Sequence, residues 1–231
     1  MHKAIYIALS GALMKQMELE VISENIANAD TPGFKGTGLS FKDYLINNDP
    51  DDTRTMTYIN DNKLQFLQGP LRRTGNQFDV AIDGKGFLSL EGGLYTRRGD
   101  MKRDSDGYLL SSSGRRVLGS NGPVRVPEGD IQIGEDGTLY LNGIAVDKLR
   151  IVEFNSIEGL RKVGEGLYEA RAQEVTSSSR ILQGYLENSS VEIIKEMVKL
   201  ITSIREFETF QKAIQTLDEG AQKINNEMGR I

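Results

Sequence analysis

The sequence predicts an α+β fold in which paired N- and C-terminal helices, similar to a coiled coil, bracket an inserted and mostly antiparallel β domain. Three observations carry this prediction: an apolar repeat with helical spacing at each end, a glycine-dense centre, and turn dipeptides repeated through that centre. We expect residues 1–36 and 187–231 to form the helical domain. Residues 37–69 are then an extended or irregular connector, and residues 70–186 form the β-rich domain.

The first helix is predicted over about residues 3–28, because one face repeats at steps of three and four residues. That face consists of Ile5, Leu9, Ala12, Gln16, Leu19, Ile22 and Ile26. A turn is predicted directly after it, at Asn28, Asp30, Thr31, Pro32, Gly33 and Phe34. Asparagine and aspartate favour turns, and proline disfavours helix at the residue before it. Phe34 is expected to be a buried anchor for this turn.

A second long helix is predicted over about residues 190–229, because no glycine or proline lies between Glu187 and Thr216. Its apolar positions include Ile194, Met197, Ile201, Ile204, Phe207, Ile214, Leu217, Ala221 and Ile224. A helix of either length has little stability alone in water. Each apolar face must therefore pack on the other helix, on the β domain or on another copy of the chain.

The centre is predicted to be antiparallel β structure, since 15 of the 25 glycines lie between Gly69 and Gly143. Its hairpin turns are expected at Asp106-Gly107, Asn121-Gly122, Asp136-Gly137 and Asn142-Gly143. Basic residues gather near these turns and are expected on a solvated strand face, with a protein contact as the alternative. They are Arg97, Arg98, Lys102, Arg103, Arg115 and Arg116.

The composition predicts a protein that is not an enzyme and has no catalytic, cofactor or metal site. The chain has no cysteine, its only histidine is His2, and its net charge is −5. Thiolate chemistry is thereby excluded, and a nucleic-acid partner is disfavoured because such partners select a basic face. No membrane insertion is expected, because no segment is long enough to span a bilayer. No small-molecule substrate is expected, because the sequence contains no nucleophile motif.

The apolar stretch at residues 4–14 is typical of a signal peptide, yet the helical spacing continues past it without a break. We therefore expect this segment to be retained. One alternative function is a secreted β-domain binding module that oligomerises through a coiled coil. Two further alternatives explain less: a lectin-like module leaves the helices without a role, and a coiled-coil adaptor does not account for the glycine-dense centre.

Several motifs resemble those of the bacterial flagellar axial proteins, which form the rod, hook and hook junction. The N-terminal motif is "SENIANADTPGFKG" and the C-terminal motif is "LQGYLENSSVEIIKEMVKLITSIREFETFQKAIQTLDE". In the centre, "FDVAIDGKGFLSL" and "YTRRGDMKRDSDGYLLSSSGRRVLG" resemble the rod and hook branch. Within the family, the chain length and the short stretch after the first helix are closer to proximal-rod than to distal-rod proteins.

This resemblance implies a structural subunit of the proximal rod in the flagellar basal body, with a distal-rod or other axial protein as the alternative. The helices would pair antiparallel in the inner wall of a helical tube, and the β domain would lie outside it. The tube would transmit motor torque, surround the export channel and cross the periplasm.

The implied partners are other copies of the chain, neighbouring rod proteins and the flagellar type III export apparatus, with no cleaved signal peptide. The end helices are expected to complete their packing only on assembly. We expect the assembly interface at Ile5, Leu9, Leu19, Ile22, Ile26, Ile194, Met197, Ile201, Ile204, Phe207, Ile214, Leu217 and Ile224.

Overall fold

The computed structural model describes residues 2–46, 54–64 and 66–228, and these form two compact units. The helical unit comprises Met1–Ala27, Thr37–Lys63 and Glu192–Ile231, and the β unit comprises Asn28–Gly36 and Leu64–Val191. The domain boundaries drawn from the sequence stay a prediction. In the structure, residues 28–36 group with the β unit because their backbone hydrogen-bonds to residues 187–190.

The described residues of the helical unit form two helices and two strands. Helix α1 spans His2–Ala27, strand β1 spans Thr37–Ile46, β2 spans Arg54–Leu64, and helix α2 spans Ile193–Met228. The two predicted helices are confirmed to within a few residues at each end. Strands β1 and β2 pair as a two-stranded sheet within the stretch expected to be extended or irregular. No helix in the described ranges is long and apolar enough to cross a bilayer.

The described residues of the β unit form short strands and a 3₁₀ turn at Ile157–Gly159. In chain order its strands are β3 (Leu71–Arg73), β4 (Val80–Asp83), β5 (Phe87–Leu90), β6 (Leu94–Thr96), β7 (Lys102–Arg103), β8 (Leu109–Leu110), β9 (Leu118–Gly119), β10 (Gly122–Pro123), β11 (Ile131–Ile133), β12 (Thr138–Leu141), β13 (Ile144–Lys148), β14 (Ile151–Phe154), β15 (Leu160–Gly164), β16 (Leu167–Ala170), β17 (Glu174–Thr176), β18 (Arg180–Gln183) and β19 (Tyr185–Glu187).

The strands in the described part of the β unit pair antiparallel, as the sequence predicted. The largest sheet has six strands in the order β15-β16-β6-β5-β14-β17, and a second has three in the order β11-β12-β13. The smaller pairs are β18 with β4, β19 with β3, β7 with β8 and β9 with β10.

Both faces of the six-stranded sheet are covered by apolar side chains, because successive residues of a strand point to opposite faces. On β5, Leu88 belongs to the larger core cluster, whereas its neighbour Phe87 belongs to a smaller aromatic cluster. On β16, Leu167 and Tyr168 divide in the same way. The strands of this sheet therefore stabilise two cores at once.

The predicted turns have the backbone that their glycines were expected to provide. Gly107, Gly122 and Gly137 have φ of 85°, 112° and 86°. At the loop between β12 and β13, both Asn142 and Gly143 have positive φ, 51° and 82°. Two successive residues with positive φ match the two-residue hairpin turn preferred between twisted antiparallel strands.

Candidate assembly interface

The two helices of the helical unit pack antiparallel, in one constant register. A Cβ added to Gly11 would lie 2.5 Å from the Phe210 ring, and Lys15 Nζ lies 2.6 Å from Glu206 Oε2. From Gly11 to Asn25 is 14 residues, and Asn25 Nδ2 donates to Glu196 Oε2 (3.3 Å), 14 residues before Phe210. Each step along α1 is therefore matched by one step back along α2.

The helix–helix contact follows a seam that repeats every three or four residues on both helices. On α1 the buried residues of the seam are Ala8, Gly11, Ala12 and Ile22. On α2 the seam contains buried Ser203 and half-buried Leu200, Phe207, Phe210, Ile214 and Leu217. Small residues on α1 face the larger side chains of α2, which lets the two helices approach closely.

Polar contacts mark the middle and one end of this seam. Burial alone would lower the pKa of Lys15, but hydrogen bonds to Glu18 and Glu206 raise the pKa above its ordinary value. At the end of α1, buried Asn25 accepts from Thr37 N (2.9 Å) and donates to Thr37 O (2.9 Å). These two hydrogen bonds between the Asn25 side chain and the Thr37 backbone fix the start of β1 on the last turn of α1.

Both helices also carry a second apolar stripe that points away from the seam. We call Tyr6, Leu9, Leu13 and Met17 the α1 outer stripe; these side chains are 45–62% exposed. We call Ile194, Met197, Ile201 and Ile204 the α2 outer stripe; these are 40–80% exposed. A helix with apolar residues on two faces has one face more than a two-helix pair can cover.

The structure divides the predicted interface residues between these two faces. Ile22 is buried in the seam, and Ile5, Leu19, Ile26, Phe207, Ile214 and Leu217 are half-buried. Exposed members of the set are Leu9, Ile194, Met197, Ile201 and Ile204. The side chain of Ile224 lies outside the described part of the structure.

The turn after α1 is closed by two backbone hydrogen bonds. Thr31 N donates to Asn28 O (3.1 Å), and Phe34 N donates to Thr31 O (3.3 Å). Gly33 has φ of 66°, and a Cβ there would lie 2.5 Å from Arg97 O, so only glycine fits.

Phe34 is buried, and Lys162 Nζ lies 3.7 Å from the centre of its ring. Half-buried Pro32 and exposed Asp30 form the outside of the turn. The turn is therefore anchored within the β unit by its aromatic side chain.

A buried charge cluster lies next to this turn. The Glu187 carboxylate accepts from Lys35 Nζ (2.5 Å), from Arg97 Nη2 (2.8 Å) and from Gly69 N (2.8 Å). All three charged side chains are essentially inaccessible to solvent. The Phe66 ring covers both cations, with its centre 4.9 Å from Lys35 Nζ and 5.3 Å from Arg97 Cζ.

The cluster contains two cations but one carboxylate, so backbone carbonyl oxygens accept the other hydrogen bonds of the two cations. Lys35 donates to Leu67 O (2.7 Å), and Arg97 donates to Ile82 O (3.1 Å) and to Gly86 O. Burial lowers the pKa of Lys35; Glu187 opposes this effect and Arg97 adds to it. Burial also lowers the pKa of Arg97.

Sequence reasoning missed this cluster, and for Arg97 it was wrong. Arg97 was expected on a solvated strand face, yet it is 2% exposed because it follows β6 into the core. The sequence signal was weak: Lys35 follows the predicted anchor Phe34, and Glu187 follows the apolar Leu186.

In residues 2–46, 54–64 and 66–228, no group of three or more histidine, cysteine, aspartate or glutamate side chains is placed to hold a metal ion.

Comparison with known proteins gives three matches to family models along the chain. Residues 5–35 match "Flagella basal body rod protein", residues 81–141 match "Flagellar hook protein FlgE/F/G D1 domain", and residues 182–227 match "Flagellar basal body rod FlgEFG protein C-terminal". The flagellar basal-body rod protein FlgF of Mesorhizobium japonicum is 33% identical over 220 residues, 90% of each chain. The chain belongs to the flagellar basal-body rod protein family.

Two further relatives match this chain over nearly its full length. FlgF of Caulobacter vibrioides is 28% identical over 249 residues, with all of both chains covered. FlgG of Bacillus subtilis is 30% identical over 261 residues, covering 98% of this chain and 99% of the relative. The buried charge cluster contains one residue from each matched segment: Lys35, Arg97 and Glu187. The cluster thus joins the three parts of the rod-family pattern.

Proposed function

We propose that this chain is a structural subunit of the flagellar basal-body rod that associates with copies of itself and with neighbouring rod proteins through its paired helices. The carrying observation is the pair of outer stripes, which stay exposed after α1 and α2 have packed on each other. Apolar faces of this kind mark protein contacts. Each stripe is therefore available to a neighbouring subunit.

Replacing Ile204 by aspartate tests this proposal, because Ile204 belongs to the α2 outer stripe. A charge in an apolar contact is costly unless it gains a partner. We expect Ile204→Asp to abolish swimming in complemented cells while far-UV circular dichroism of the purified chain stays unchanged. Gln211→Asp is the matched control: it also adds one negative charge at an exposed position of α2, and should leave swimming intact. Cells that swim with Ile204→Asp would refute the proposed role of the stripe.

The work we propose for the assembled subunit is mechanical: the rod transmits torque, and its wall encloses the path of exported subunits. Rigidity in such a wall comes from apolar area buried between subunits, about 25 cal/mol per Å². Exposed ion pairs such as Arg161–Glu169 contribute little by comparison. We propose no catalytic step for this chain.

The proposed route to the basal body is the flagellar type III export apparatus, with the first helix uncleaved and the rod crossing the periplasm. The packing of α1 supports retention, since removal of residues 4–14 would delete Ala8, Gly11 and Ala12 from the seam. Intact-mass analysis of the chain isolated from basal bodies tests this. A mass that lacks the first 14 or so residues would contradict it.

Within the rod we propose the proximal position of FlgF-type proteins, supported by the short segment between Thr37 and Gly69. Site-specific photocrosslinking from exposed Leu13 in cells identifies the neighbours directly. Crosslinks to distal-rod chains and to the hook alone would instead place the subunit in the distal rod.

A further inference from the structure

Three basic residues of the β unit lie on one face of neighbouring extended segments. Lys102 is opposite Leu110, and Leu110 is in turn opposite Arg116. Tyr108 lies two residues before Leu110 and is opposite Arg125. Residues that are opposite each other in antiparallel segments share a face, and so do residues two apart in one strand. We call Lys102, Tyr108, Leu110, Arg116 and Arg125 the basic face.

The other side of the same segments belongs to the core. Each residue of the basic face has a neighbour in sequence that is buried in the larger apolar cluster: Met101, Leu109, Val117, Val124 and Val126. The side chains of the basic face are themselves half-buried or exposed. The packed core behind it therefore holds this face in place, while its side chains remain accessible.

The cations of the basic face have no acidic partner in the part of the chain that the structure describes. Nearby, Arg98 pairs with Asp100 (2.6 Å), as most ion-pairing arginines of the β unit pair with a carboxylate. Within the described ranges, the side chains of Lys102, Arg116 and Arg125 form no such ion pair. Three positive charges on this face are therefore available to a partner.

The acidic residues of this region are placed in a turn. Asp104 Oδ1 accepts from Asp106 N (3.0 Å) and from Tyr108 N (2.7 Å), so this carboxylate closes the turn, and Asp106 is exposed within it. Residues 101–127 contain five basic and two acidic residues, a net charge of +3 in a chain whose net charge is −5. The basic face is thus locally positive on an acidic protein.

Tyr108 holds the two arginines of the face in position. The Cζ atoms of Arg116 and Arg125 lie 4.3 Å and 5.8 Å from the centre of its ring, within the range of cation–π contacts. Arg125 Nε also donates to Asp106 O (3.0 Å). Because these side chains are already ordered, a partner that binds them loses less conformational entropy than it would on free side chains.

We propose that the basic face binds an acidic segment on the surface of a different protein, with carboxylates on Arg116 and Arg125 and an apolar side chain against Leu110. Guanidinium groups match carboxylates through two parallel hydrogen bonds. Tyrosine and arginine are also enriched among the residues that dominate protein–protein binding energy. A long polyanion fits less well, because the negative net charge of the chain repels it beyond this small face.

This inference goes beyond the proposed function, because it assigns a partner to the β unit and not to the helices. Photocrosslinking in motile cells tests it, with p-benzoylphenylalanine in place of Pro123 of the full chain. Pro123 is exposed and lies two residues before Arg125, beside the basic face. We expect a crosslink to a segment of a different protein that contains more acidic than basic residues, as identified by mass spectrometry.

Charge reversal then tests whether the arginines make the contact. Arg125→Glu should reduce the crosslinked product by about tenfold or more, because a charge-assisted hydrogen bond becomes a repulsion. Arg125→Gln should cause a smaller loss, since it removes the charge without reversing it. The matched control is Arg73→Glu, which makes the same change at an exposed arginine of β3 and should leave the crosslink intact.

The decisive result is a charge exchange. Changing the crosslinked carboxylate of the partner to arginine should restore the crosslink of the Arg125→Glu chain. A neutral or basic segment, a crosslink to nucleic acid or only to another copy of this chain, or the absence of any crosslink would overturn the proposal. So would equal losses from Arg125→Glu and Arg73→Glu. None of these outcomes involves the outer stripes, so the swimming of the Ile204→Asp strain judges the rod role separately.

Discussion

Glu187 is the residue on which the anchored turn depends most. Its carboxylate bonds Lys35 and Arg97, and its carbonyl accepts from Gly33 N (2.7 Å). A buried ion pair is weak evidence of net stabilisation, but removing one partner leaves an uncompensated charge in the interior. In this cluster the loss of Glu187 would leave two buried cations facing each other.

We expect Glu187→Gln to destabilise the β unit by about 3–5 kcal/mol, because both cations would lose their counter-charge. Urea unfolding followed by near-UV circular dichroism measures this. Glu169→Gln is the matched control, since its partner Arg161 is exposed and the change should cost at most about 1 kcal/mol. Equal effects of the two substitutions would show that the buried cluster contributes no more than a surface pair.

The hydrogen bond from Tyr95 to Glu174 makes stability depend on pH at both extremes. Burial and this bond raise the pKa of Tyr95 from 10.0 to about 12, so its contribution is complete below about pH 10 and lost as pH rises toward 12. The same bond, with Arg150, lowers the pKa of Glu174 from 4.5, so that contribution is lost as pH falls through the lowered value.

Tyr95→Phe removes the hydroxyl and with it the alkaline part of this dependence. We expect the variant to be less stable than the natural chain by about 1–2 kcal/mol near neutral pH, and the difference to shrink between about pH 10 and pH 12. Urea unfolding across that range measures it. Tyr140→Phe, with its half-buried ring on β12, is the control. A gap that stays constant up to pH 12 would contradict the raised pKa.

At the scale of single residues, the sequence predicted what local chemistry decides. Pro32 and Gly33 disfavour helix through local chemistry, and Phe34 next to them was predicted to anchor the turn. The partners of Lys35 could not be predicted in the same way. Glu187 is 152 residues away, and burial of a charge depends on which distant segments meet.

Among the elements, the α1–α2 pair depends on the absence of a side chain at Gly11. We expect Gly11→Leu to force the helices apart, because even a Cβ would lie 2.5 Å from the Phe210 ring. Overpacking of this kind costs about 1–3 kcal/mol. Thermal unfolding followed by far-UV circular dichroism should show that the helical signal is lost at a lower temperature. The unfolding temperature of the β unit should not change.

Two further variants distinguish overpacking from a general effect of changing a glycine. Gly220→Ala lies in open space on α2 and should stabilise the helix by up to about 1 kcal/mol. Phe210→Ala combined with Gly11→Leu should recover part of the lost stability, because removing the ring at position 210 leaves room for the larger side chain at position 11. If the double variant unfolds at the same temperature as Gly11→Leu alone, contact between positions 11 and 210 is not the cause of the lost stability.

The helices and hairpin turns were predictable because their signals are periodic or carried by one dipeptide. Strands β1 and β2 were less so. Their sequences, "TGLSFKDYLI" and "RTMTYINDNKL", mix polar and apolar residues without a strict alternation, so they were expected only as extended or irregular chain. Their pairing is a tertiary property that a pattern of period two does not encode when neither face is uniformly apolar.

For the whole molecule, the sequence predicted one inserted β domain, and the structure explains how the insertion is held. The incoming segment 28–36 and the outgoing segment 185–190 are hydrogen-bonded to each other, with Ser190 N donating to Phe34 O (3.0 Å). The chain therefore enters and leaves the β unit at one place. What the sequence could not supply is the second face of each helix, because an outer stripe and a seam have the same spacing.

Local stability should differ between the two units in a single chain. The β unit has two buried apolar clusters, whereas the helices leave large apolar side chains such as Ile194 in solvent. Free energies of local opening follow the density of buried contacts. We expect amides of β5 and β16 to exchange with deuterium more slowly than those of α1 and α2 in the monomer. In the proposed assembly the outer stripes gain partners, so the helix amides should slow on assembly while those of β5 and β16 should not. Helices as strongly protected as β5 in the monomer would mean that the subunit reaches the rod already rigid, and that assembly docks preformed parts.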